Sequence, residues 1–157
     1  MSILRAGIFL LGLTANFITI AYAAPEFVNF DGVNQTAACG DCLPPDTTGA
    51  VGNTQFVQIV NERFLVYSKT PAPGSTDPSL LKSVSLAAIF NYTAEGLFDP
   101  RVLYDAHGKR WVIAAEAMPE PSSAQFQFLG VSRTSDATGI FDVYRINVNW
   151  LFRNSSG

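Results

Sequence analysis

The chain has 157 residues, with ten Lys and Arg against thirteen Asp and Glu, a formal net charge of −3 and 48% hydrophobic residues. This mild acidity, without any cationic run, excludes the electrostatic footprint of a nucleic-acid binder, and the length allows one ordinary domain. Two cysteines and one histidine are also too few for a zinc module closed by four ligands.

The chain opens MSILRAGIFLLGLTANFITIAYAAPEF. One cation, Arg5, precedes a long apolar run that ends in Ala21-Tyr22-Ala23, which is the pattern of a secretory signal peptide cleaved after Ala23. A retained membrane helix is the alternative, since residues 6–23 approach the length that spans a bilayer. Thr14, Asn16 and Thr19 interrupt the run, and no basic stop-transfer cluster follows. Export is therefore expected, leaving residues 24–157 as a secreted or periplasmic chain with no membrane contact after cleavage. An oxidising compartment makes a disulfide the default state of two nearby cysteines.

Residues 24–53 read as an extended N-terminal segment containing CGDCLPPDTTGAVGN. A thioredoxin-like site needs C-x-x-C at a helix start, whose N-terminus lowers the thiol pKa. Leu43-Pro44-Pro45 argues instead for an extended link, so a local Cys39–Cys42 disulfide is expected, with free thiols and a redox or metal role as lesser alternatives. In PPDTTGAVGN, Asp46 and the threonines can accept nearby backbone N–H groups, while Gly49 and Gly52 permit positive φ. An ordered turn is the simpler reading; the functional one is a Ca²⁺ loop held by Asp46 and carbonyls.

Beyond it, long helical periodicity is nearly absent, and short β-branched and aromatic runs lie between turn formers. The chain is expected to be all-β. TQFVQIV (54–60) and FLVYS (64–68) have hairpin spacing around Asn61-Glu62-Arg63. TPAPGSTDPS (70–79) is a loop by composition, and SLAAIFN (85–91) a short packed connection. RVLYD (101–105), KRWVIAAEA (109–117), QFQFLGVSRT (125–134) and FDVYRINV (141–148) are four consecutive strands with short links. Four antiparallel strands over about fifty residues match one blade of a β-propeller, with the earlier hairpin in the preceding blade. Residues 54–148 then hold about one and a half blades of an incomplete ring. NWLFRNSSG (149–157) is a truncated continuation.

The succession PPDTTGAVGNTQFVQIVNERFLVYSK, LFDPRVLYDAHGKRWVIAAEA and GVSRTSDATGIFDVYRINV resembles the N-terminal portion of a family of secreted bacterial propeller-like proteins. The match covers nearly all of the mature chain, with three spaced motifs in order. Ala137 stands where the family usually has proline and Phe141 where it has tryptophan. A more distant similarity, to five-bladed glycosidases and sialidase-like propellers, rests on the Asp-Pro of LFDPRVLYD. That similarity implies Asp99 as a pocket carboxylate, a general base or charge stabiliser.

Glycoside hydrolysis needs two facing carboxyl groups, and Asp99, Asp105 and Glu116 are the nearest set. Asp105, before AHG, is expected to shape a turn, Asp99-Pro100 to start a strand, and Glu116 to line a rim or solvated strand end. His107, the sole histidine, sits in a turn without any G-x-S-x-G, so Ser-His-Asp chemistry is not expected. Arg110-Trp111 suits recognition or core packing. Sequons at Asn34, Asn91 and Asn154 matter only in a eukaryotic secretory pathway. Three functions follow: an exported module whose loops bind extracellular protein or polysaccharide, a glycosidase-like propeller using Asp99, or a structural repeat of a larger surface protein. Apart from a Ca²⁺ ion at Asp46 no cofactor is expected, and exposed blade edges favour self-association.

Overall fold

Two sheets hold about half of the residues described by the computed structural model, which are 29–40, 42–118 and 125–149. The expected leader lies outside these residues, as does the expected continuation apart from Asn149. Helix α1 (Gln35–Cys39) precedes strands β1 (Thr48–Val51), β2 (Gln55–Val60), β3 (Arg63–Pro71) and β4 (Pro78–Ser85). Helix α2 (Leu86–Phe90) then leads to β5 (Gly96–Asp105), β6 (Arg110–Met118), β7 (Phe126–Ser132) and β8 (Phe141–Asn147). Each run of four strands forms one antiparallel sheet in simple sequence order, β1-β2-β3-β4 and β5-β6-β7-β8. The all-β expectation holds. Among the described residues no helix is long and apolar enough to cross a membrane.

The core lies between the sheets because strand alternation sends one apolar set from each into the same layer. Val57, Ile59, Phe64 and Val66 of the first sheet meet Trp111, Ile113, Ala115 and Ala117 of the second. Fully burying side chains of the Val, Ile and Phe kind contributes about 1.5–3 kcal/mol each, so this layer dominates stability. Helix α2 seals one side of the layer. Ser85 caps it by accepting the Ala88 N–H, Asn91 ends it in the left-handed region, and Leu86 and Phe90 are buried beneath it. The outer face of the first sheet is covered by the segment before α1. There Phe30 packs edge-on against Phe56 and Tyr67, and the Val33 N–H donates to the Gln58 side chain.

One strand occurs where the sequence suggests a turn, and another begins inside the expected loop 70–79 and runs on through residues 80–84, for which the sequence suggests no element. β1 falls within PPDTTGAVGN and β4 follows a loop reduced to residues 72–77. Hence the first sheet has four strands rather than a hairpin, and the described residues form two four-stranded sheets. β5 also starts earlier than expected, at Gly96, and runs through Asp99-Pro100. Phe98 pairs with Glu116 and Arg101 with Ala114, so Asp99 and Pro100 together oppose the single residue Ala115. This is a β-bulge on an edge strand, where a proline costs no ladder hydrogen bond.

Candidate functional site

The register sorts the candidate residues to two ends of the stacked sheets. β1 and β5 run side by side in the same direction, since Gly52 at the end of β1 lies against Tyr104 and Trp111 at the β5–β6 turn. Asp46, just before β1, and Asp99 and Glu116, at the start of β5 and the end of β6, therefore share one end. Asp105, His107 and the 133–140 loop share the other.

At the first end, Asp99 is exposed, with φ of 48° inside a strand and immediately before a proline. Residues preceding proline ordinarily take extended backbone, so this conformation is held by the bulge rather than by local preference. Glu116 is half-buried on the face of the second sheet that turns away from the first. Asp46, half-buried with φ of 45°, leads directly into β1. Among the described residues no three His, Cys, Asp or Glu side chains group as a metal site would require.

Cys39 and Cys42 form a disulfide, with Cα atoms 5.7 Å apart. Asn34 caps α1 by accepting the Ala37 N–H, and the staple closes directly after that helix. The Asn61 amide of the β2–β3 turn then donates to the Pro44 carbonyl at 3.1 Å, tying the stapled segment to the sheet. Iodoacetamide treatment of the unreduced protein is expected to label neither cysteine. Reduction should then expose both while the two sheets still unfold cooperatively, because neither cysteine belongs to a strand.

At the second end lie the turns 52–54 and 72–77 of the first sheet and 106–109 and 133–140 of the second. Asp105 does shape its turn. Its carboxylate accepts the His107 and Gly108 N–H groups at 2.9 and 3.0 Å, and these bonds, that from Gly108 foremost, hold its pKa below the usual carboxylate value. Trp111 is core, not a recognition residue, with its indole N–H donating to the Ser135 carbonyl. The 133–140 loop is also more than a turn. The buried Gln55 side chain donates to Asp136 at 2.7 Å and accepts the Ala137 N–H at 2.8 Å, while Lys82 donates to the Thr138 carbonyl. This loop of the second sheet is thus latched onto β2 and β4 of the first. The sequence carried one signal for it, a glutamine at an inward-facing position of TQFVQIV.

A second cluster sits on the inner face of the second sheet at its outer edge strand, β8. Arg145 lies over the rings of Phe126 and Tyr92, 4.8 and 5.7 Å from their centroids, beside Phe128 and Phe90. No property of FDVYRINV alone places this arginine on aromatic rings contributed from outside its own strand. Comparison of the chain with protein-family models, curated proteins and solved structures finds no match, so its reading rests on the geometry above.

Proposed function

We propose that the chain is a two-blade portion of an exported β-propeller whose loop end binds extracellular polysaccharide or protein without cleaving it. The observation that carries the reading is the connection through α2. It takes the chain from the outer strand of one four-stranded meander to the edge strand of the next, and the two meanders stack face on face. Radial repetition of this step is how propellers are built. The face of the second sheet turned away from the first fits the same reading. Leu103, Val112 and Val131 lie in one cross-strand row that ends at Asp142, and Ala114, Leu129 and Tyr144 in the next, which begins at Arg101, an apolar strip with charged ends suited to a further sheet. The turns at the second end of the two sheets supply the binding surface in this reading.

Incubation of the secreted gene product with a polysaccharide panel is expected to give retention on at least one polymer and no release of reducing sugar. Release that disappears in Asp99→Ala would instead support a glycosidase-like propeller. The observation favouring that second reading is Asp99 itself, a carboxylate in left-handed backbone at a bulge, where strands commonly re-aim a functional side chain. Sugar release unchanged by Asp99→Ala would end the catalytic assignment.

A further inference from the structure

Among the described residues no strand pairs with the outer edge of β8, and this edge of the second sheet has the properties of a strand acceptor. β8 pairs with β7 in unbroken register from Ser132↔Phe141 to Phe126↔Asn147. The Arg133 N–H donates to the Ile140 carbonyl and the Val148 N–H to the Gln125 carbonyl, which fixes the phase of the ladder. Antiparallel pairs alternate between bonded and non-bonded types, so Asp142, Tyr144 and Ile146 point their backbone groups toward β7. Phe141, Val143, Arg145 and Asn147 point theirs outward, to the open edge.

The side chains of these four residues alternate onto the inner face of the sheet. Phe141 meets Phe64 there, and Arg145 meets Tyr92 and Phe126. Two cavities, of about 240 and 150 Å³, lie along this side of β8 between it and the α2 region. Ala88, Ile89 and Phe141 are among the walls of the first, and Phe90, Tyr92 and Val143 among those of the second. The outer edge of the first sheet is protected differently. β4 carries Pro78, Lys82 and two register shifts, devices that discourage pairing, whereas β8 has no proline, lysine or bulge.

Charge decides what kind of strand fits. Arg145 is exposed, held against two rings, and makes no hydrogen bond or ion pair with the described residues, leaving its guanidinium donors free. We propose that the β8 edge accepts an extended peptide segment from a partner protein, with apolar side chains at alternate positions beside α2 and an acidic side chain against Arg145. Backbone bonds to residues 141, 143, 145 and 147 would supply affinity, and the cavities with Arg145 the selection. The inference concerns the outer edge and stands independently of the loop-end reading.

A labelled peptide as long as β8, alternating valine and threonine with a single glutamate, tests this against the full chain by fluorescence anisotropy and amide hydrogen exchange. Binding should slow exchange at Val143 and Arg145 but not at Tyr144. Arg145→Gln, or replacing the peptide's glutamate by lysine, should weaken it about tenfold or more, the scale of one charge-assisted contact. Val143→Pro should abolish it without loss of thermal stability, because that N–H donates to no strand among the described residues. Equal affinity for the glutamate and lysine peptides would overturn the proposal. So would uniform exchange along β8, or protection that rises with protein concentration in the absence of peptide, which would make a second copy the occupant.

Discussion

Replacing Trp111 by alanine is expected to lower stability by about 4 kcal/mol, at the upper end of the range for core truncations. The side chain is fully buried at the seam between the sheets, with the Tyr104 ring 4.7 Å away. Its backbone N–H donates to the Ser132 hydroxyl and its indole N–H to the Ser135 carbonyl, at 2.8 and 2.9 Å. Truncation therefore leaves a cavity and removes the indole bond that ties the 133–140 loop to β6. Denaturant midpoints measure the loss; a change below about 1 kcal/mol would mean that the seam is not where stability resides.

The same indole explains Gly52. A Cβ there would lie 2.6 Å from Trp111 Cζ2 and 3.0 Å from Cη2, and the Ser135 bond prevents the ring from swinging away. Gly52→Ala should cost about 1–3 kcal/mol, as overpacking does. Phenylalanine at position 111 lacks both crowding atoms, so the Gly52→Ala penalty should shrink in a Trp111→Phe background. Additive costs in that double-mutant cycle would remove the contact as the cause.

How far the sequence revealed this fold depended on where each strand lies. β2, β6 and β7 pair on both sides and alternate cleanly, so their hydrophobic pattern located them. β1 and β4 are edge strands. Gly49 of β1 packs closely on the Phe56 ring and Val57 carbonyl, a role for a small residue that reads as a turn former. β4 buries little and opens with Pro-Ser, which resembles a loop. In β5 the bulge at Asp99-Pro100 breaks the period of two, so only the half after it was visible. Of the candidate site, Asp105 was legible because Asx turns are local in sequence. The Gln55–Asp136 pair, 81 residues apart, was not, since it depends on how one sheet docks on another.

That pair gives the second large effect. Gln55→Leu is expected to cost about 2–3 kcal/mol, because a buried donor or acceptor that loses its partner costs about 1–3 kcal/mol and this side chain serves one of each. Only 7% of Gln55 is exposed and Ala137 is fully buried, so water cannot replace the bond to the Ala137 N–H. Acid dependence separates this bond from simple packing. The hydrogen bond from Gln55, then that from the Thr138 N–H, holds the Asp136 pKa below its ordinary value. A carboxylate depressed on folding contributes stability that is present above its unfolded pKa of about 3.9 and is lost as pH falls through the folded value. Asp136 is exposed, so this acid limb is shallow. Wild type should nevertheless lose stability relative to Asp136→Asn as pH drops below about 4, and the difference should diminish in Gln55→Leu. Gln55→Glu has the opposite sign. It sets a second carboxylate against Asp136 at neutral pH, a like-charge cost relieved when one of the pair is protonated, so its penalty should fall on acidification. Thermal unfolding of wild type, the three single variants and the Gln55→Leu/Asp136→Asn double variant between pH 3 and 7 reads both trends, and parallel curves would mean that the latch acts through shape alone.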